Sequence, residues 1–142
     1  MSTDANKELV RRLVQALNDN RLELLDDVVA RDYRQRNESV AAGREGLKAL
    51  FGRLRSAFPD LSVSIDELIA EGDAVVAVTR MRGTQRGDLP GVAATGRGVH
   101  VSSIDLYRIA DGGIVEHFGR FDELGMLEQL GVAHDLSWPG PS

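Results

Sequence analysis

Cysteine is missing from all 142 residues, which excludes disulfides, thiol catalysis and thiolate metal sites. Such a chain suits a reducing compartment, and a cytoplasmic location is expected. Basic runs are missing too, and the formal charge is -5 at pH 7. Nothing in the chain is built to neutralise phosphates, so no nucleic-acid partner is expected; the same deficit disfavours an anionic membrane surface. No apolar run approaches the roughly 18 residues that span a bilayer. The opening MSTDANKELV carries no apolar signal core. The histidines at 100, 117 and 134 follow no metal-ligand spacing such as HExxH, so no metal is expected. Gly91 to Gly98 lacks the GxxxxGK signature and a following helix, which sets aside a phosphate loop. There is no internal repeat and no low-complexity segment.

What is present suffices for one domain with one core. Hydrophobic residues make up 42% of the chain, within the range of globular proteins. Leu9, Val10, Leu13, Val14 and Leu17 recur at helical spacing and predict a helix over 7–18. Leu22–Val29 predicts a shorter helix, and Asp32–Asn37 a short strand. Gly43–Phe58 predicts a third helix with Leu47, Leu50, Phe51, Leu54 and Phe58 on one side. It ends before Pro59 because the residue preceding proline avoids the helical region. Leu61–Ile69 alternates as a strand, and Glu71-Gly72-Asp73 marks a turn. Ala74–Gly83 begins almost wholly apolar and reads as a strand covered on both faces. Gly87–Gly98 reads as a loop. Val99–Ile109 and Ile114–Phe121 pair around Ala110–Gly113. Asp122 is placed as the N-cap of a closing helix, with Leu124, Leu127 and Leu130 inside and Gly131 as its stop. The tail Ser137–Ser142, with Trp138 in it, is peripheral. Helices followed by an antiparallel meander make an α+β domain. A strongly curved sheet wrapped around three helices leaves a cone with an open mouth, a natural pocket for a small apolar ligand.

Two ionisable residues stand out inside the apolar strands of the last hairpin: Asp105 and His117. Burying such groups costs free energy unless they have a partner or a task. Val101, Ser103, Asp105, Tyr107 and Ile109 share one strand face; Val115, His117, Gly119 and Phe121 share one on the next. If both faces look into the cone, Asp105 and His117 come within reach of each other. A carboxylate beside an imidazole fixes its tautomer and stabilises the imidazolium, which makes an acid–base pair. The plainer alternative is a buried pair that merely closes the hairpin. His100 is out of phase and is expected exposed or interfacial, and His134 solvated. Asn37 is a candidate donor to a ligand carbonyl and Arg36 a candidate enolate stabiliser, with Gln35 in the same stretch; a solvated edge strand is the rival reading. Met81, Tyr107 and Phe121 are candidate pocket walls, against plain core packing. Arg80 and Arg82 fall in the outward row. Ile104 and Leu106 also face outward, and two apolar groups there predict a covered surface, hence a homodimer formed through the sheet.

The pieces, in their order and spacing, resemble the SnoaL-like polyketide cyclases of the nuclear-transport-factor-2-like superfamily. They are the helix ending ALN, the strand DYRQRN, the helix start GREGLKALF, the hairpin AFPDLSVSIDELIAEGD, the loop GVAATGRGV, the hairpin IDLYRIADGGIVEHF and the ending LGMLEQLGV. The resemblance runs from residue 7 to residue 132 and implies one cone-shaped domain over the chain, often dimeric. It implies acid–base chemistry on a hydrophobic, often polycyclic ketone or polyketide, with no metal or organic cofactor. Asp105 matches the position where ketosteroid isomerases carry an oxyanion-stabilising acid. His117 sits in an EHW-like motif, with Phe118 replacing tryptophan. The cyclase aspartate falls at Gly119, which cannot move a proton. The isomerases' tyrosine on helix one is replaced by Leu13, against ketosteroid isomerisation. The resemblance therefore implies a cyclase-type enzyme in which His117 moves the proton and Asp105 orients it or stabilises the enol. A hydroxylase-type tailoring enzyme of the same family and a non-catalytic small-ligand binder stay open as alternatives.

Overall fold

The computed structural model describes residues 2–36 and 43–132. Helix α1 (Thr3–Asn18) is followed by a 3-10 helix (Leu22–Asp27), strand β1 (Val29–Gln35) and helix α2 (Gly43–Ala57). Strands β2 (Ser62–Glu71), β3 (Ala74–Thr84), β4 (Gly98–Ala110) and β5 (Gly113–Phe121) come next, and helix α3 (Glu123–Gln129) closes the fold. Ser2 starts α1 by accepting a hydrogen bond from the Ala5 N–H, as short hydroxyl side chains do at helix starts. The second predicted helix is a single 3-10 stretch that gives way to strand at Val29. The β-branched Val28 and Val29 favour that change. Asp122 caps α3 by accepting from the Gly125 N–H, and Gly131 leaves the helix at φ +73°. No helix among the described residues is long and apolar enough to cross a membrane.

The five strands form one sheet in the order β1-β5-β4-β3-β2. Strands β2 to β5 run as an antiparallel meander. The β4–β5 turn places Asp111 and Gly112 at φ +52° and +75°, the two left-handed residues that match a tight hairpin to sheet twist. Strand β1 is an edge strand, as the rival reading has it, and it joins β5 in parallel, with Gln35 opposite His117. Register slips between Arg108 and Ile109, so Ile109 faces Ile114. Ile114, fully buried, thereby takes the inner position that strict alternation assigns to Val115.

Helices α1 and α2 lie against the inner face. Leu9, Val10, Leu13 and Ala16 of α1 pack with Leu47, Val75, Ala77, Tyr107, Ile109 and Ile114 in the main core. Each leucine, isoleucine or valine among them contributes about 1.5–3 kcal/mol when fully buried. A second cluster holds Leu17, Phe58, Leu61, Val99 and Leu130, with Met81, Leu89 and Val92 packed on it. The loop that brings Leu89 and Val92 there is organised by the fully buried Gln85. Its Oε1 accepts from the N–H and hydroxyl of Thr95. Strand β3 departs from the expected double coverage. Val75, Ala77 and Thr79 are buried, while Val76 and Val78 on the other face are only half-buried.

Candidate functional site

The site grows from one feature of the β4–β5 ladder. Asp105 stands opposite Gly119, and Tyr107 opposite His117. Asp105 and His117 are therefore diagonal neighbours on the inner face, within reach of side chains of this length. The His117 Nε2 lies 2.7 Å from Asp105 Oδ1. The two side chains keep only 15% and 14% of their exposure. The other carboxylate oxygen, Oδ2, accepts from the Ser103 hydroxyl at 3.0 Å. Below the imidazole lies the Tyr107 ring, with centroids 4.8 Å apart and planes 30° from parallel. An ionised carboxylate can only accept, so this contact calls for the hydrogen on Nε2 and leaves Nδ1 for another partner.

Strand β1 completes the inner row from the other side. Its register places Gln35 beside His117, and the Tyr33 hydroxyl donates to the Gln35 Oε1. That leaves the Gln35 amide hydrogens for another acceptor. Burial pushes the Tyr33 phenol well above its ordinary pKa of 10.0, and the Asp105 charge adds to it. Tyr107 is raised as well, first by burial, then by Asp105 and Tyr33. Both phenols stay protonated at neutral pH.

Other candidates lie elsewhere. Arg36 points to the outer face, where it pairs with Glu116 at 3.4 Å and stacks over Phe118 at 5.1 Å. The reason is strand parity: Arg34 and Arg36 alternate with Tyr33 and Gln35. Met81 shares the inner face but sits opposite Val101, four residues along from Asp105. That is about 13 Å along the strand, and Met81 packs into the second cluster. Phe121 follows the inner parity, opposite Ser103, yet is 49% exposed at the strand end. Tyr107 is core first, supporting the His117 ring from beneath. Asn37, His134 and Trp138 lie outside the described residues. His100 is exposed, and its backbone N–H and carbonyl are bracketed by the Gln129 amide. Arg80 pairs outward with Asp66 at 2.6 Å. No cluster of three or more His, Cys, Asp or Glu able to hold a metal occurs among the described residues. Two residues that contact the site were not singled out from the sequence: Tyr33, and Ser103, which alternation had only placed on the face of Asp105. Each stands two positions from a residue singled out, Gln35 and Asp105, so period-two spacing was the available signal.

The sequence profile of the SnoaL-like polyketide cyclases matches residues 7–130. Two aklanonic acid methyl ester cyclases are similar: DauD of Streptomyces sp. (strain C5) and DnrD of Streptomyces peucetius. Each is 31% identical over 140 residues, 94% of this chain, covering 84% and 93% of the relatives respectively. Among solved structures, TsrD from Streptomyces laurentii superposes with a TM-score of 0.89 and 34% identity, over 94% of this chain and 99% of that one.

Proposed function

Because this chain belongs to the SnoaL-like polyketide cyclase family, we propose that it closes a ring on a hydrophobic polyketide by acid–base catalysis at His117. The single observation that supports this reading is the 2.7 Å contact between His117 and Asp105 on the shielded inner face. In the proposed reaction, Nδ1 of His117 removes a proton from carbon next to a substrate carbonyl. Asp105 steadies the resulting imidazolium through Nε2. The Gln35 amide donates to the carbonyl oxygen as it gains negative charge. The enolate carbon then attacks a second carbonyl of the same molecule, forming one C–C bond. The new alkoxide takes back the proton from the imidazolium. The sequence is redox-neutral, with the proton returned at its end.

The relatives named as aklanonic acid methyl ester cyclases make that ester the first substrate to try. A positioned general base contributes about 10²–10⁴-fold in rate. His117→Ala should lose that factor while keeping its circular-dichroism spectrum. Unchanged turnover in this variant would remove His117 from the mechanism. Product that forms only with oxygen would instead favour hydroxylase chemistry.

The outer face supports a homodimer. Ile104 and Ile69 are 60% and 55% exposed. They adjoin the half-buried Val76 and Val78 through the β2–β3–β4 ladder. A monomeric mass by light scattering at micromolar concentration would contradict this assembly.

A further inference from the structure

Gly119 sits in the middle of β5, where glycine weakens a strand by about 0.5–1 kcal/mol relative to alanine. Its φ is outside the left-handed region that favours glycine, and no turn is made there. The backbone therefore gives no reason for glycine at this position. The space above it does. A Cβ at 119 would lie 2.1 Å from Asp105 Oδ1 and 2.8 Å from His117 Nε2. Asp105 stands opposite Gly119 and reaches His117 by leaning diagonally across it. The two atoms of the acid–base contact thus occupy the volume that any side chain at 119 would fill.

We infer that Gly119 is a positioning residue, whose missing side chain holds open the space in which Asp105 meets His117. Both obstructed atoms are tips of side chains rather than backbone, and the closer is the Asp105 carboxylate. Adding a methyl group would therefore swing Asp105 aside and leave the sheet intact. The empty space at 119 is what lets Asp105 reach the imidazole from the neighbouring strand.

This inference rests on the acid–base reading for its kinetic arm, but its structural arm is independent. Gly119→Ala, Asp105→Ala and the double variant are compared in the full chain, with aklanonic acid methyl ester as substrate. The His117 ring protons are followed by NMR in the free protein. Gly119→Ala should abolish the downfield signal of the hydrogen-bonded Nε2–H, as Asp105→Ala does. It should lower kcat by about 10²-fold with KM and Tm nearly unchanged. In the Asp105→Ala background it should add less than about twofold, because the carboxylate it displaces is already gone. A Gly119→Ala protein that keeps the Nε2–H signal overturns the inference. So does a loss of fold that Asp105→Ala fails to relieve, or a full additional rate loss in the double variant. If His117→Ala and Asp105→Ala both keep full turnover, the acid–base reading falls, while the NMR comparison still decides the role of Gly119.

Discussion

The two faces of the β4–β5 hairpin carry the same kinds of residue and put them to different uses. On the inner face, Asp105 and His117 meet at 2.7 Å with little water around them. On the outer face, one residue away in sequence, Glu116 meets Arg34 at 3.3 Å and Arg36 at 3.4 Å. Those guanidinium side chains are 77% and 57% exposed. Exposed pairs contribute from about zero to 1 kcal/mol, because water and salt screen them. The shielded pair acts in a medium where a charge is costly to leave alone. The lesson is that exposure to solvent, more than residue type, separates the shielded pair from the solvated one.

The strongest way to break this comparison is chemical. His117→Ala should cost about 10²–10⁴-fold in turnover, whereas Glu116→Gln, its sequence neighbour, should leave turnover within about twofold; steady-state kinetics on one substrate decides. Next in size is a packing test at the far end of the cone. Phe58 is fully buried in the second cluster with Leu17, Leu61, Val99 and Leu130, apart from the main core that holds Tyr107. Phe58→Ala should cost about 3–5 kcal/mol of stability, read by urea unfolding, without a change in the Nε2–H signal of His117.

Alkaline titration sharpens the contrast further. The folded Tyr33 and Tyr107 phenols titrate above the ordinary value of 10.0. The unfolded chain therefore releases protons first as pH rises. The stability these groups contribute is whole below about pH 10 and declines as pH climbs past it. Tyr33→Phe should make the decline shallower, measured by denaturant unfolding across pH 9 to 11. Smallest is the outer face itself. On the proposed pairing of two copies through this face, Ile104→Asp should lower the mass seen by light scattering toward that of the monomer, and Glu116→Gln should change stability by less than about 1 kcal/mol.

Much of the frame was legible because it rests on local rules. The 3–4 spacing of Leu9, Val10, Leu13 and Leu17 places α1. The Asp111-Gly112 pair places the last turn, and the Asp122 cap and Gly131 stop bound α3. Alternation puts Asp105 and His117 each in phase with its own strand, but from the two-residue turn alone His117 would stand opposite Leu106; the slip after Arg108 brings it opposite Tyr107 and onto the face of Asp105. Other features were not legible, because they depend on chain segments far apart. Nothing near Gln35 says that β1 will cross over and lie parallel to β5, yet that pairing brings Gln35 to His117 and sends Arg36 away from it. The register slip that buries Ile114 in place of Val115 is likewise absent from any local pattern.

The sequence by itself determined the class of fold, the caps of the closing helix, the hairpin turns and the alternation within each uninterrupted stretch of strand, since all of these follow from backbone sterics and periodicity within a few residues. Only the tertiary structure decided which parities face one another, which charges lose their water, and that a glycine in mid-strand lies under a carboxylate. Desolvation and excluded volume belong to pairs of distant segments, and neither exists until the sheet has closed around its helices.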